Sequence, residues 1–304
     1  MKPEFYIVAF PNYEYLWYIL FIGVLLLFLM AIVGNLLITV LIWLVPHLHT
    51  PMYFFLCNLS VQDIVHVSAI LPKLMSIILT GSHYISFAGC LTQIFMFVFC
   101  LNTNFLLLTS MAYDRYVAIC IPLQYFVIMK FKKCSLLASA CWVVSGLNAT
   151  MHSCLMSQLP FCLITSINHF FCDVRAMLKL SSGDTTHIKA LIFAEGVLFC
   201  FIPFVLILIS YIHIISTIRK IRSTAGRLKT FSSCSSHIIT VILFCGASLG
   251  QYMKPESEKS EEQDKLLSLL YIAVVPMLNP LVYSLRNKDV LQAIQKLFIY
   301  PKLF

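Results

Sequence analysis

Apolar residues fill this chain in long runs, separated by short polar stretches, and the runs have the length of membrane crossings. No charged residue occurs between Leu16 and Val45, and none occurs between Tyr84 and Tyr113. A helix that crosses a bilayer needs roughly 20 mainly apolar residues. Seven segments meet that need, at about 16–45, 53–79, 84–121, 134–159, 190–218, 230–253 and 266–285. The connections are short, none is a Gly/Ser/Pro linker, and no internal repeat is visible. The pattern predicts an all-α membrane protein, a seven-helix bundle forming one domain over 1–304. The third and fifth segments exceed the bilayer core, so they should tilt or project into the cytoplasm. Beyond the seventh, Val290, Leu291, Ile294, Leu297 and Phe298 recur at helical spacing with Lys288 and Lys296 beside them. That predicts a short amphipathic helix over about 287–299, lying in the inner interface.

Composition agrees. Of the 304 residues, 60% are hydrophobic and 11% charged, against about 45–50% and about 25% in soluble domains. Charge then sets the orientation. With the N-terminus outside, the inner loops and tail hold 13 of the 21 basic residues against two acids, Asp114 and Asp289. The outer side holds seven bases and nine acids. Basic residues accumulate on the cytoplasmic face, so the N-terminus is extracellular. The net charge of +8 therefore reflects topology and contact with anionic lipids, not nucleic-acid binding. The first residues, with Glu4 and Glu14 and no small-residue cleavage site, make a poor signal peptide. The first helix is expected to serve as an uncleaved insertion signal.

Ionisable groups at membrane depth usually mark function. Asp63 sits near the centre of the second segment and needs a partner, with Asn35, Asn104 and Asn279 at matching depth in other segments. Each Asn could equally be interhelical glue. Pro280 frees a carbonyl in the seventh segment, and Tyr283 follows one turn later, which suggests a deformable helix end. Asp114 and Arg115 end the uncharged third segment at the cytoplasm; Arg115 either meets its neighbour or reaches another helix. Glu195 follows Lys189 by six residues and so lies roughly 9 Å deeper. It is either a pocket acceptor or a structural partner of Asn148 or His152. Of the 12 cysteines, most lie inside helices, where a thiol behaves as a small apolar group. Cys90, Cys162 and Cys172 fall where an oxidising exterior acts, and their pairing is open on this ground.

Several stretches carry a resemblance. "MAYDRYVAIC" (111–120) resembles the third-helix signature of vertebrate olfactory receptors, a branch of the rhodopsin-like G-protein-coupled receptors. "LHTPMYFFLCNLSVQD" (48–63), "FSSCSSH" (231–237), "PMLNPLVYSLRNKDV" (276–290), Gly34-Asn35 and Ser210-Tyr211 are similar to that family's other marks. The resemblance covers essentially the whole chain. It implies that Arg115 engages a heterotrimeric G protein after the sixth helix moves outward, restrained beforehand by Asp114 and nearby polar groups. Tyr116, Tyr211, Asn279, Pro280 and Tyr283 belong to the same coupling set. Asp63, Asn35 and Asn279, together with Asn104, would form a central polar network, with a sodium ion at Asp63 as a possible guest. Odorant contacts are implied at Phe97, Val98, Leu101, Asn102, Phe199, Ser248 and Tyr252, to which Glu195 is added. That set suits a small, mainly hydrophobic ligand with one hydrogen-bonding group. The resemblance pairs Cys90 with Cys172, with Cys90–Cys162 as the alternative, and implies a stimulatory G protein that raises cAMP, at the plasma membrane.

The chain also departs from the family pattern. Phe244-Cys245-Gly246 stands where the family has Phe-Tyr-Gly, and Leu180-Ser181-Ser182 lacks the cysteine that would pair with Cys162. Asn12 is followed by Tyr-Glu, so the first tail has no glycosylation motif; Asn58-Leu-Ser and Asn148-Ala-Thr lie within helices. The alternative function is a rhodopsin-like receptor for a metabolite or hormone. An ion-coupled transporter fits poorly, with no inverted repeats and only Asp63 and Glu195 as acids within the spans. An enzyme fits less, with no HExxH motif and no carboxylate pair on adjacent helices. A retinal-binding opsin is excluded, because no Lys lies between Leu266 and Leu285.

Overall fold

The apolar runs fold as helices because a membrane-buried backbone must satisfy its own hydrogen bonds. The computed structural model describes residues 4–10, 16–161, 164–252, 261–286 and 290–294. The first four spans are Trp17–Leu44, Pro51–Thr80, Phe87–Cys120 and Phe131–Ser157. The fifth is Thr186–Lys220, the sixth Thr224–Tyr252, and the seventh covers 261–286. Six of these helices are long and apolar enough to cross a membrane, and the sixth contains a shorter apolar stretch, Cys234–Ser248. The seven-helix bundle is thus the architecture expected from hydropathy. Large apolar side chains such as Tyr18, Trp43, Phe193 and Ile212 point outward, where only lipid suits them. The third span is the axis of the bundle: 72% of its most apolar window is buried, against 17% in the fifth. Of the expected cytoplasmic helix, 290–294 is helical with Val290 and Ala293 buried; the rest lies outside the described residues.

The third segment was expected to be helical from residue 84, and here the structure differs. Tyr84–Ser86 is a strand (β2), and it joins two others from separate extracellular segments. The first is Glu4–Ile7 (β1) and the other Ile164–Ile167 (β3). β1 lies in the middle, antiparallel to β2 and parallel to β3, with Phe5 opposite both Ile85 and Thr165. β-branched and aromatic residues favour strands, and here they pair across loops that hydropathy counting treats as connections. Phe5 and Ile7 are fully buried, so the N-terminal segment closes over the extracellular end of the bundle. Two side chains fasten it, and a third holds the neighbouring strand β2. His83 Nδ1 bonds with the Ile7 carbonyl at 2.7 Å. Lys265 Nζ donates to the Ala9 carbonyl and to Asn168 Oδ1, both at 2.6 Å. Lys73, the base of the second span, reaches up to the carbonyls of Ser82 and Tyr84, both at 2.7 Å.

Prolines shape the spans. The fifth widens into a π-helical turn at Val197–Phe201 and the seventh at Leu270–Val274. In each, the closing amide bonds five residues back: Ile202 to Val197, and Val275 to Leu270. Pro203 and Pro276 follow directly. A proline cannot bond four residues back and crowds that carbonyl, so an extra residue in the preceding turn relieves the clash. Pro280 is handled differently. It frees the carbonyl of Pro276, and Asn35 Nδ2 of the first span donates to that oxygen at 2.9 Å. Gly34 permits the approach, since a Cβ there would meet the Pro280 ring at 2.9 Å.

Candidate ligand cavity and coupling face

The third span presents one long face because Phe97, Leu101 and Phe105 recur at helical spacing. Its outer end is fixed twice. Ser86 Oγ caps it by accepting from the Gly89 amide at 3.1 Å. Cys90 forms a disulfide with Cys172 in the second extracellular loop, the pairing the resemblance implied; Cys162 lies outside the described residues. Gln93 Oε1 adds a bond from the Cys172 amide at 3.2 Å. Asp173 follows directly and caps the short helix Val174–Leu180, accepting from the amides of Arg175 at 2.9 Å and Ala176 at 3.1 Å. The tether therefore holds Asp173, Val174 and Arg175 over a cavity between the third, fourth and fifth spans.

Six of the eight sequence-predicted ligand residues line that cavity: Phe97, Val98, Leu101, Asn102, Glu195 and Phe199. Ser248 does not. It is fully buried inside the bundle, and among the described residues the cavity wall is built from the third, fourth and fifth spans and the loop. The side chain of Tyr252 lies outside the described residues. The π turn of the fifth span delivers Phe199 and Cys200 to the wall. Asn148 and His152 come from the fourth span, one turn apart and so on one face. His152 Nε2 and Glu195 Oε2 form a hydrogen bond across the two spans. The sequence offered this partner through depth alone. Phe105, Ile192, Cys200 and the three loop residues were missed as lining, and for the loop only the disulfide could have found them. Cys245, at the place of the family's Tyr, is buried near Cys200.

Deeper in, the polar residues separate into three ties. Asn279 Nδ2 donates to Asp63 Oδ2 at 2.7 Å, joining the seventh and second spans. Asn104 does not reach Asp63: its Nδ2 donates to Gln62 Oε1 at 3.2 Å, and Gln62 Nε2 donates to the Cys100 carbonyl at 3.1 Å. Asn35 serves the Pro276 carbonyl. The single network of four residues is therefore corrected to an Asp63–Asn279 pair with separate neighbours. Asn58 accepts from Trp142 Nε1 at 2.9 Å, so its sequon is committed to helix packing.

At the cytoplasmic end, Asp114 and Arg115 do not pair. Adjacent helix positions point away from each other, and among the described residues no cation lies within 4 Å of Asp114. Instead Tyr125, in the short helix Tyr125–Ile128 of the following loop, donates to Asp114 Oδ1 at 2.9 Å. Burial, and then the Asp114 carboxylate, push the Tyr125 phenol well above its ordinary pKa, so it remains a donor at physiological pH. Arg115 lies within electrostatic range of Tyr211, His237 and Tyr283, and its Nε has no hydrogen-bond partner. The Tyr283 hydroxyl also has none. His237, last residue of "FSSCSSH", ties three spans: its Nε2 bonds the Leu108 carbonyl at 3.0 Å and its Nδ1 bonds the Tyr211 hydroxyl at 2.7 Å. A carbonyl only accepts, so Nε2 carries the proton and Tyr211 donates to Nδ1. Tyr116 packs on His213 with ring centroids 5.9 Å apart.

Residues 24–300 match the sequence profile of a family described as olfactory receptor. The chain is 44% identical to Olfactory receptor 1 of Rattus norvegicus over 96% of its own length and 92% of that protein's. It is 44% identical to Olfactory receptor 1J4 of Homo sapiens over 95% and 91%, and 43% identical to Olfactory receptor 1C1 of Homo sapiens over 99% and 96%. With the membrane bundle and the outward-facing apolar surface, these matches make it a multi-pass plasma-membrane receptor and not an enzyme: the chain belongs to the olfactory receptor family of G-protein-coupled receptors.

Proposed function

We propose that this receptor binds a small, mainly hydrophobic odorant between its third, fourth and fifth spans and activates a stimulatory olfactory G protein, raising cAMP. The observation that carries the reading is the cavity. It is walled by Phe97, Leu101, Phe105 and Phe199, with few polar groups, under a disulfide-tethered loop. Apolar walls with a small number of placed polar atoms suit small-molecule recognition. The inner face supports coupling: Leu123 (98% exposed) and Phe126 (84% exposed) project from the loop that holds Asp114, and exposed apolar groups of this kind mark partner contacts. Sodium belongs to the same reading. Asp63 Oδ1 is buried without a hydrogen-bond partner, and a hard oxygen anion at membrane depth is a donor that a small cation takes.

The test is a panel of volatile compounds applied to cells expressing the receptor with an olfactory stimulatory G protein, read as cAMP. A saturable rise for some compounds, absent in cells without the receptor, is expected. Responses through an inhibitory G protein alone would reassign the partner.

A further inference from the structure

The cavity has a polar corner whose hydrogen bonds are incomplete. Glu195 gives Oε2 to His152, but its Oε1 is buried with no partner. Asn102, on the third span, has a buried Nδ2 with no partner. His152 Nδ1 is likewise buried and unpartnered. All three residues line the one cavity; Asn148, Asp173 and Arg175 also line it, and the rest of its wall is aromatic and aliphatic save Gly196 and Cys200. Buried polar atoms are almost always satisfied, so an orphaned acceptor and an orphaned donor on residues of the same cavity wall describe the ligand that completes them. The cavity leaves about 60 Å³ open to the centre of a water molecule. A single water takes roughly 10–15 Å³ of that measure, so the space suits a compact molecule.

Resting on the reading of this cavity as the odorant site, we propose that it selects neutral hydroxyl compounds, alcohols or phenols, whose O–H donates to Glu195 Oε1 and whose oxygen accepts from Asn102 Nδ2. A hydroxyl is both donor and acceptor, so it completes both atoms at once. An aldehyde or ketone only accepts, and would leave the Glu195 oxygen buried and bare. An ammonium donates to Glu195 but offers Asn102 no acceptor, and His152 already meets the same carboxylate. A carboxylate would face Glu195 charge to charge. A hydrocarbon leaves both atoms orphaned.

Two matched sets decide it. One is 2-phenylethanol, 2-phenylethylamine, phenylacetaldehyde, phenylacetic acid and ethylbenzene; the other is 1-heptanol, heptylamine, heptanal, heptanoic acid and heptane. Each compound is tested for a shift in the melting temperature of purified receptor in nanodiscs, and for cAMP in cells. The alcohol should lead its set by roughly tenfold or more in at least one skeleton, the scale of one bond to a charged group. Glu195→Gln keeps an acceptor for His152 and adds an amide donor, so it should narrow the alcohol–aldehyde gap by gaining aldehyde affinity. Asn102→Leu leaves the His152–Glu195 pair intact and should cost the alcohol most of its lead. The inference is overturned if amine, aldehyde, acid or hydrocarbon equals the alcohol in both sets. It is also overturned if neither variant changes the ratio, or if no compound binds. Binding of the alcohol without any cAMP response would instead leave this inference standing and count against the proposed coupling.

Discussion

His169 shows how one extracellular side chain links burial to pH. It lies in the second extracellular loop with its ring 4.9 Å from that of Phe170 and 4.6 Å from that of Phe171, and Nε2 is 3.4 Å from Ser268 Oγ. Burial lowers its pKa from 6.5 to about 4, with Lys265 assisting and Asp173 opposing. The folded ring is therefore neutral where the unfolded ring takes a proton. Stability is full above pH 6.5 and falls as pH drops toward 4, by at most roughly 3 kcal/mol. Melting curves of purified receptor at pH 7, 6 and 5 should fall more steeply for the wild type than for His169→Gln. Equal slopes would remove His169 as a source of acid sensitivity. At this scale the sequence revealed some positions well. Depth matching found Asp63 with Asn279 and Glu195 with His152, because a charge in the membrane restricts its partners to groups at its own level. It failed at Asn104, where Gln62, adjacent to Asp63 on the same helix, takes the bond, because depth says nothing of how a helix is rotated.

Among the elements, the contact of the first and seventh spans is the most sharply specified. Gly34 lets Pro280 approach, and Asn35, the next residue, caps the carbonyl that Pro280 frees. The two residues of one motif thus serve a single kink. Gly34→Val should push the helices apart and lower stability by about 1–3 kcal/mol, the usual cost of overpacking. Asn35→Leu should cost about 1–3 kcal/mol by orphaning the Pro276 carbonyl. Thermal melting measures both, and a Gly34→Val protein as stable as the wild type would show that the seventh span can move aside. The spans themselves were legible, since runs of apolar residues have few other uses. The π turns and the three-stranded lid were not. A π turn differs from an α turn by one residue in hydrogen bonding, and neither composition nor periodicity registers it. The strands are three or four residues long and come from segments distant in sequence, so no local pattern joins Glu4–Ile7 to Ile164–Ile167.

Across the whole molecule, the third span connects the two functions. Phe97 and Leu101 line the cavity near its outer end, and Arg115 closes its inner end roughly 27 Å away, taking 18 residues at about 1.5 Å each. Between them, His237 holds the third, fifth and sixth spans together through Leu108 and Tyr211. We propose this tie as the two-state element that coupling between distant sites requires. The Tyr211–His237 bond holds the sixth span; breaking it would free Tyr211 to turn toward Arg115 and the sixth span to move. The most direct test is ligand-stimulated nucleotide exchange on a purified stimulatory G protein. Receptor in nanodiscs would be titrated with the most potent compound of the volatile panel, comparing wild type, Leu101→Trp and Arg115→Ala at equal folded amounts. The account predicts accelerated exchange for the wild type and a tenfold or greater rightward shift for Leu101→Trp, which fills the cavity; these magnitudes follow the cost of losing a well-fitted apolar contact, about 1.4 kcal/mol per tenfold. It predicts that Arg115→Ala still binds the ligand but does not accelerate exchange. Unchanged ligand dependence for Leu101→Trp, or full exchange by Arg115→Ala, would contradict it.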